Sequence, residues 1–268
     1  MTKRLKTVEL FLAAGLVAGL TACGGATTTD VETSTAPDAA TEVAEGGEGG
    51  EGGEGGEGGE GGEGGEGGEG GEGGEYSAGE QANADFEDKI AGAELLSALK
   101  EGGHVIYFRH AQTEKDYADQ ADPNMKLDDC DTQRKLNDVG TKQAEDIGAA
   151  FTDKDIPVGD VIASDYCRAW QTADLAFGTH TKNSKLNFLP FEDYTDEQVE
   201  EMKANVTPLL TAVPADGTNT VIVGHDDIFE AATGIYPDPQ GIAYVLTPDG
   251  SGGFELQANM LPEEWAEL

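Results

Sequence analysis

Basic side chains are scarce in this 268-residue chain: 16 lysines and arginines stand against 53 aspartates and glutamates, a formal charge of −37. Such a chain repels phosphate backbones and anionic headgroups, which sets aside nucleic acid and direct adsorption to a charged bilayer. Long apolar runs are lacking too. The one candidate, Val8 to Leu20, carries Glu9 and is too short to span comfortably as a mature helix. Histidine occurs four times and cysteine three times, with no grouping that reads as a metal-ligand set, so neither a metal nor a cofactor is expected. Proline is missing from the one obvious repeat, ten Glu-Gly-Gly units running from Glu45 and closed by Glu75. Collagen, which needs abundant proline and a single glycine per triplet, is thereby excluded.

What is present divides the chain in three. Lys3, Arg4 and Lys6 precede the short apolar run, which ends in Leu20-Thr21-Ala22-Cys23-Gly24. This pattern resembles a bacterial lipoprotein lipobox, so residues 1–22 are expected to be a signal peptide and Cys23 the lipidated residue of an extracytoplasmic, envelope-anchored protein. Residues 23–85 carry no apolar periodicity. Glycine entropy and repulsion between glutamates leave nothing to offset the cost of ordering, and the expectation is an acidic, disordered tether. Residues 86–268 are long enough for one substantial core. The tether does not hold all the charge: residues 76–268 keep 37 acidic and 13 basic side chains, a net −24.

Within this last part, buried strands are expected at His104–Phe108, Val158–Ala163 and Thr220–Val223, with later strands at Ile242–Leu246 and Phe254–Met260 and a weaker one at Leu186–Leu189. Helical spacing covers Phe86–Lys100, the stretch from the cap Asn137 to Phe151, Tyr166–Phe177, and the stretch from the cap Thr195 to about Val213. Alternating strands and helices predict an α/β three-layer sandwich, with helices on both faces of a mainly parallel sheet.

Three of these strands end on unusual polar residues. VIYFRHAQT delivers Arg109 and His110, Val158–Ala163 runs into Ser164-Asp165-Tyr166-Cys167-Arg168, and VIVG delivers His225 and Asp226. Ligands of such sheets sit beyond the carboxyl ends of the strands. Guanidinium forks match phosphate oxygens, and an imidazole between them is a nucleophile toward phosphorus. A second imidazole could stabilise developing charge. His104 lies at the other end of its strand and His180 in a loop, so the chemistry expected is metal-free phosphoryl transfer.

VIYFRHAQT, RKLNDVGTKQA (134–144), ASDYCRAWQTA (163–173) and VIVGHDD (221–227) resemble, in order, the motifs of the histidine phosphatase superfamily, the phosphoglycerate mutase-like fold. The resemblance covers about residues 100–262. It implies His110 as the phosphorylated nucleophile, with Arg109, Arg168 and His225 on the phosphoryl group, and a small phosphate ester as substrate. Ala111 replaces the usual glycine of the signature, and Asp116 stands where the cofactor-dependent mutases tend to carry asparagine. The general acid is left between Asp226, next to the second histidine, and Glu192 in LPFEDYT. Cys130 and Cys167 are either a disulfide or two separate thiols. A non-catalytic phosphate-binding module and a phosphotransferase are the alternative functions.

Overall fold

The structure, a computed structural model, describes residues 76–115, 119, 122–190 and 193–268. The signal peptide, Cys23, the tether through residue 75, Asp116 and Glu192 lie outside the described residues. The elements follow the order α1 (Ala78–Ala84), α2 (Gly92–Glu101), β1 (Val105–Arg109), α3 (Asp138–Asp153), β2 (Val158–Ala163), α4 (Cys167–Phe177), β3 (Thr181–Lys182), α5 (Asp196–Leu210), β4 (Asn219–Gly224), α6 (Asp226–Thr233), β5 (Ala243–Pro248) and β6 (Phe254–Met260). The six strands form one sheet in the order β3-β2-β4-β1-β5-β6.

β3, β2, β4 and β1 run parallel, whereas β5 and β6 join antiparallel, so the sheet is mixed at one end. Side-chain alternation explains why β1 reads as an unbroken apolar run: both its faces are covered. Ile106 and Phe108 point into a core with Leu99 of α2, Ile147 and Phe151 of α3, Ala173 of α4 and the fully buried Trp265. Val105 and Tyr107 point the other way, against Val206 of α5, Phe229 of α6 and Tyr244 of β5.

Four local readings change. The expected strand at 186–189 is instead a short helical turn, Ser184–Leu186, and the edge strand is Thr181–Lys182. Asn183 caps that turn, and the Asn187 side chain is taken up by Ser164 and Asp165, which leaves no ladder there. α2 begins at Gly92 instead of Phe86. α6 follows His225 directly and is too short for its spacing to show. α1 occupies residues given to the end of the tether, closed by a Ser77–Glu80 capping box. It rests on a distant loop: Tyr236 N donates to Gly79 O (3.1 Å) and Asn83 Nδ2 to Asp238 O (2.8 Å). No helix among the described residues is long and apolar enough to cross a membrane.

Candidate active site

The parallel pairing of β1 with β4 sets Arg109 opposite Gly224, so the two strands end together. His110 N donates to Gly224 O (3.0 Å) and Gly241 N donates to His110 O (2.9 Å), fixing the backbone at the nucleophile position. Just beyond β4, the backbone of His225 is held from β1: the Tyr107 hydroxyl donates to His225 O (2.7 Å) and accepts from His225 N (2.9 Å). Gly224 is required here, because a Cβ would run into that hydroxyl.

The tautomer of His110 follows from its partners. Ala111 O only accepts, so the Nδ1 2.9 Å away must carry a proton. Nε2 faces two donors, Arg168 Nε at 3.2 Å and an Arg134 terminal nitrogen at 3.3 Å, and therefore presents a lone pair. Burial lowers the basicity of His110 well below the usual range for histidine, and Arg168, Arg134, His225 and Arg109 push it further. The imidazole is neutral, with its nucleophilic nitrogen aimed between two guanidiniums.

His225 is also buried and neutral for the same reasons: burial first, then Arg168, Arg134 and Arg109. Its Nε2 lies 2.8 Å from Ser164 Oγ. That hydroxyl spends its proton on Asn187 Oδ1 (2.9 Å), so it accepts from His225 Nε2–H. The His225 ring packs edge-on to His110, with ring centres 5.5 Å apart, and against Phe188 and Tyr166.

Arg168, at the start of α4, is buried and crosses the Tyr166 ring (4.8 Å to the centroid). Its Nη1 meets both oxygens of Asp119 at 2.9 and 3.2 Å, and Asp119 Oδ2 also accepts Arg134 N at 2.8 Å. Burial and Arg134 lower the Arg168 guanidinium to about 10, still charged at neutral pH. Arg109, whose charge is also felt by His110 and His225, is engaged by carboxylates. It pairs with Asp226 through Nη2 (2.5 Å), while Nη1 meets Asp238 Oδ1 (2.8 Å) and Pro237 O (3.1 Å).

The acid candidates separate. Burial raises the Asp226 carboxyl, but Arg109, the Tyr236 hydroxyl at 2.9 Å and the Asp227 amide outweigh it and hold the group below its usual range. Asp227 goes the other way, to about 7, because burial and the Asp226 charge outweigh the Tyr194 hydroxyl, which donates to it at 3.2 Å and favours the ionised form. Glu192, the other candidate, lies outside the described residues.

Cys130 and Cys167 are joined in a disulfide with a Cα separation of 5.7 Å. Beside it, Cys167 N donates to Gln133 Oε1 (2.8 Å), and the next residue is Arg134. Thus His110, Arg168 and His225 meet at the sheet edge as the sequence suggests. Arg134, Asp119 and Asn187 are additions that sequence reasoning missed, and Asp227 enters as the carboxyl with the raised pKa in place of its neighbour Asp226. Arg134 sits inside a quoted motif, which was a usable signal, whereas Asp119 lies in a polar loop with no pattern. Among the described residues no group of three or more His, Cys, Asp or Glu could hold a metal ion.

The model of the histidine phosphatase superfamily (branch 1) matches residues 105–204. The chain carries a histidine phosphatase superfamily domain. Similar solved structures include the protein histidine phosphatase SixA with tungstate, at 15% identity and a TM-score of 0.43, covering 60% of this chain and 98% of that one. A phosphoserine phosphatase from Entamoeba histolytica with 3-phosphoglyceric acid aligns at 14% identity and a TM-score of 0.43, over 58% of this chain and 95% of that one. A mycobacterial glucosyl-3-phosphoglycerate phosphatase with VO3 aligns at 15% and 0.42, over 58% and 97%. No curated protein matches the sequence. The superfamily domain accounts for the elements from β1 into α5 that carry His110, Arg134 and Arg168.

Proposed function

We propose that this phosphatase-type hydrolase cleaves small phosphate monoesters through a phosphohistidine on His110, without a metal, outside the cytoplasm and anchored by lipid at Cys23. The observation that carries the chemistry is the His110 Nε2 lone pair, met by Arg168 Nε at 3.2 Å and Arg134 at 3.3 Å. Two guanidiniums converging on one nitrogen suit the equatorial oxygens of a phosphoryl group placed there.

In the first step the Nε2 lone pair attacks phosphorus, the ester P–O bond breaks, and the leaving oxygen takes a proton from a carboxyl group. Asp227, two residues after His225, is a described carboxyl whose surroundings favour a proton near neutral pH. In the second step water attacks phosphorus, its proton returns to that carboxylate, and the P–N electron pair returns to His110 as phosphate leaves. Arg134 and Arg168 hold the transferring group, and His225 faces it from beside His110. Arg109 acts from behind by fixing Asp226.

Location rests on the lipobox-like sequence at Cys23 and is supported by the Cys130–Cys167 disulfide, a bond that persists in oxidising compartments. Hydrolysis of an aryl phosphate in the presence of a chelator tests the proposal, comparing the wild type with His110→Ala. Turnover by the wild type, loss in the variant and a phosphohistidine trapped by quenching in alkaline denaturant are expected. Failure of the wild type on a broad panel of phosphate esters would leave a phosphate-binding module instead.

A further inference from the structure

Asp119 is a carboxylate with only 1% of its surface exposed, placed where an enzyme of anionic esters gathers positive charge. It does not sit passively. One oxygen accepts from the Arg134 backbone at 2.8 Å and from Arg168 Nη1 at 2.9 Å, and the other lies 3.2 Å from the same Nη1. The guanidinium it grips is the one whose Nε reaches His110 Nε2. Arg109, the other strand-end arginine, meets Asp226 and Asp238. Both arginines singled out from the sequence therefore carry an internal carboxylate partner.

A buried anion beside a buried guanidinium lowers the potential felt by any second anion at that site. Phosphate is both a portion of the substrate and the product, and a pocket of uncompensated arginines would hold the product too well. We propose that Asp119 is a built-in counter-anion that weakens the hold of the site on inorganic phosphate and so speeds product release. It is a positioning residue, acting through Arg168. This inference rests on reading the pocket as a phosphoryl site.

Asp119→Asn tests it. The asparagine carbonyl oxygen placed where Oδ2 stands keeps the two shorter hydrogen bonds, so geometry is largely retained while the charge is removed. Titration of the full chain with inorganic phosphate should show binding about five- to tenfold tighter in the variant, a conservative fraction of what a unit charge so close to the site can exert. KM and the phosphate inhibition constant should fall together, and kcat should fall because release becomes slower. Asp119→Ser, a second neutral replacement, should shift phosphate binding in the same direction and serves if the asparagine variant does not fold. Equal or weaker phosphate binding in a folded neutral variant overturns the role of Asp119 alone. Absence of phosphate binding in the wild type overturns both this inference and the phosphoryl-site reading.

Discussion

Arg109 and Asp226 form a buried ion pair with 2.5 Å between nitrogen and oxygen, one residue before His110 and one residue after His225. The pair ties the ends of β1 and β4 together. It also helps hold the Asp226 carboxyl below its usual range, which favours the ionised form. Its negative charge is then one reason why the neighbouring Asp227 keeps its proton.

A pH profile should show this division. Asp227 must be protonated to protonate a leaving group, so kcat/KM should decline as pH rises through about 7. Asp227→Asn should remove that decline and lower the plateau by roughly 10²-fold for an ester with a poor leaving group. An aryl ester with a good leaving group should be far less affected. Persistence of the full alkaline limb in Asp227→Asn would transfer the role to another group.

Arg134 should matter as much as Arg168, although only Arg168 follows a strand. Arg134→Ala removes one of the two donors at His110 Nε2. A loss of about 10²- to 10³-fold in kcat/KM is expected, typical of deleting one preorganised donor to a transition-state oxygen. Steady-state kinetics on one ester, with melting curves for both proteins, measures it. A change under threefold would place Arg134 outside the phosphoryl site.

The disulfide should contribute stability as well as geometry. Its two cysteines are 37 residues apart, and closing a loop of that size stabilises by about 3–4 kcal/mol on the chain-entropy estimate. The double variant Cys130→Ser, Cys167→Ser should unfold at lower denaturant by about that amount. Because Gln133 and Arg134 follow Cys130 closely, kcat/KM should fall before the fold is lost. Parallel unfolding and activity measurements in the oxidised wild type and the double variant separate the two effects.

The sheet was readable because β1 and β4 are largely apolar, buried on both faces and end on polar residues, and β2 runs through the apolar Val161–Ala163 into polar residues as well. His110, His225 and Arg168 were readable because strand ends collect at one edge. The carboxylate partners of Arg109 were not, since adjacent positions on a strand say nothing about which carboxylates a distant loop brings near. Asp238 and Pro237 belong to such a loop, more than a hundred residues away. The disulfide could be suggested by a count of cysteines but decided only by the proximity of the loop after the first motif to the start of α4. Asp119 left no trace in periodicity, because a carboxylate in a polar loop looks the same whether it faces water or an arginine.

The short helix α1 makes contacts to the domain that hydrophobic periodicity does not mark. Asn83 and Gly79 hold the loop that supplies Pro237 and Asp238 to Arg109. A cut at residue 86, where the apolar spacing begins, would spare nearly every core side chain and still remove the contacts of α1 to the loop that reaches that guanidinium. Any excision or fusion of this domain should therefore keep α1, since residues that look like the end of a leash are part of the machine it holds.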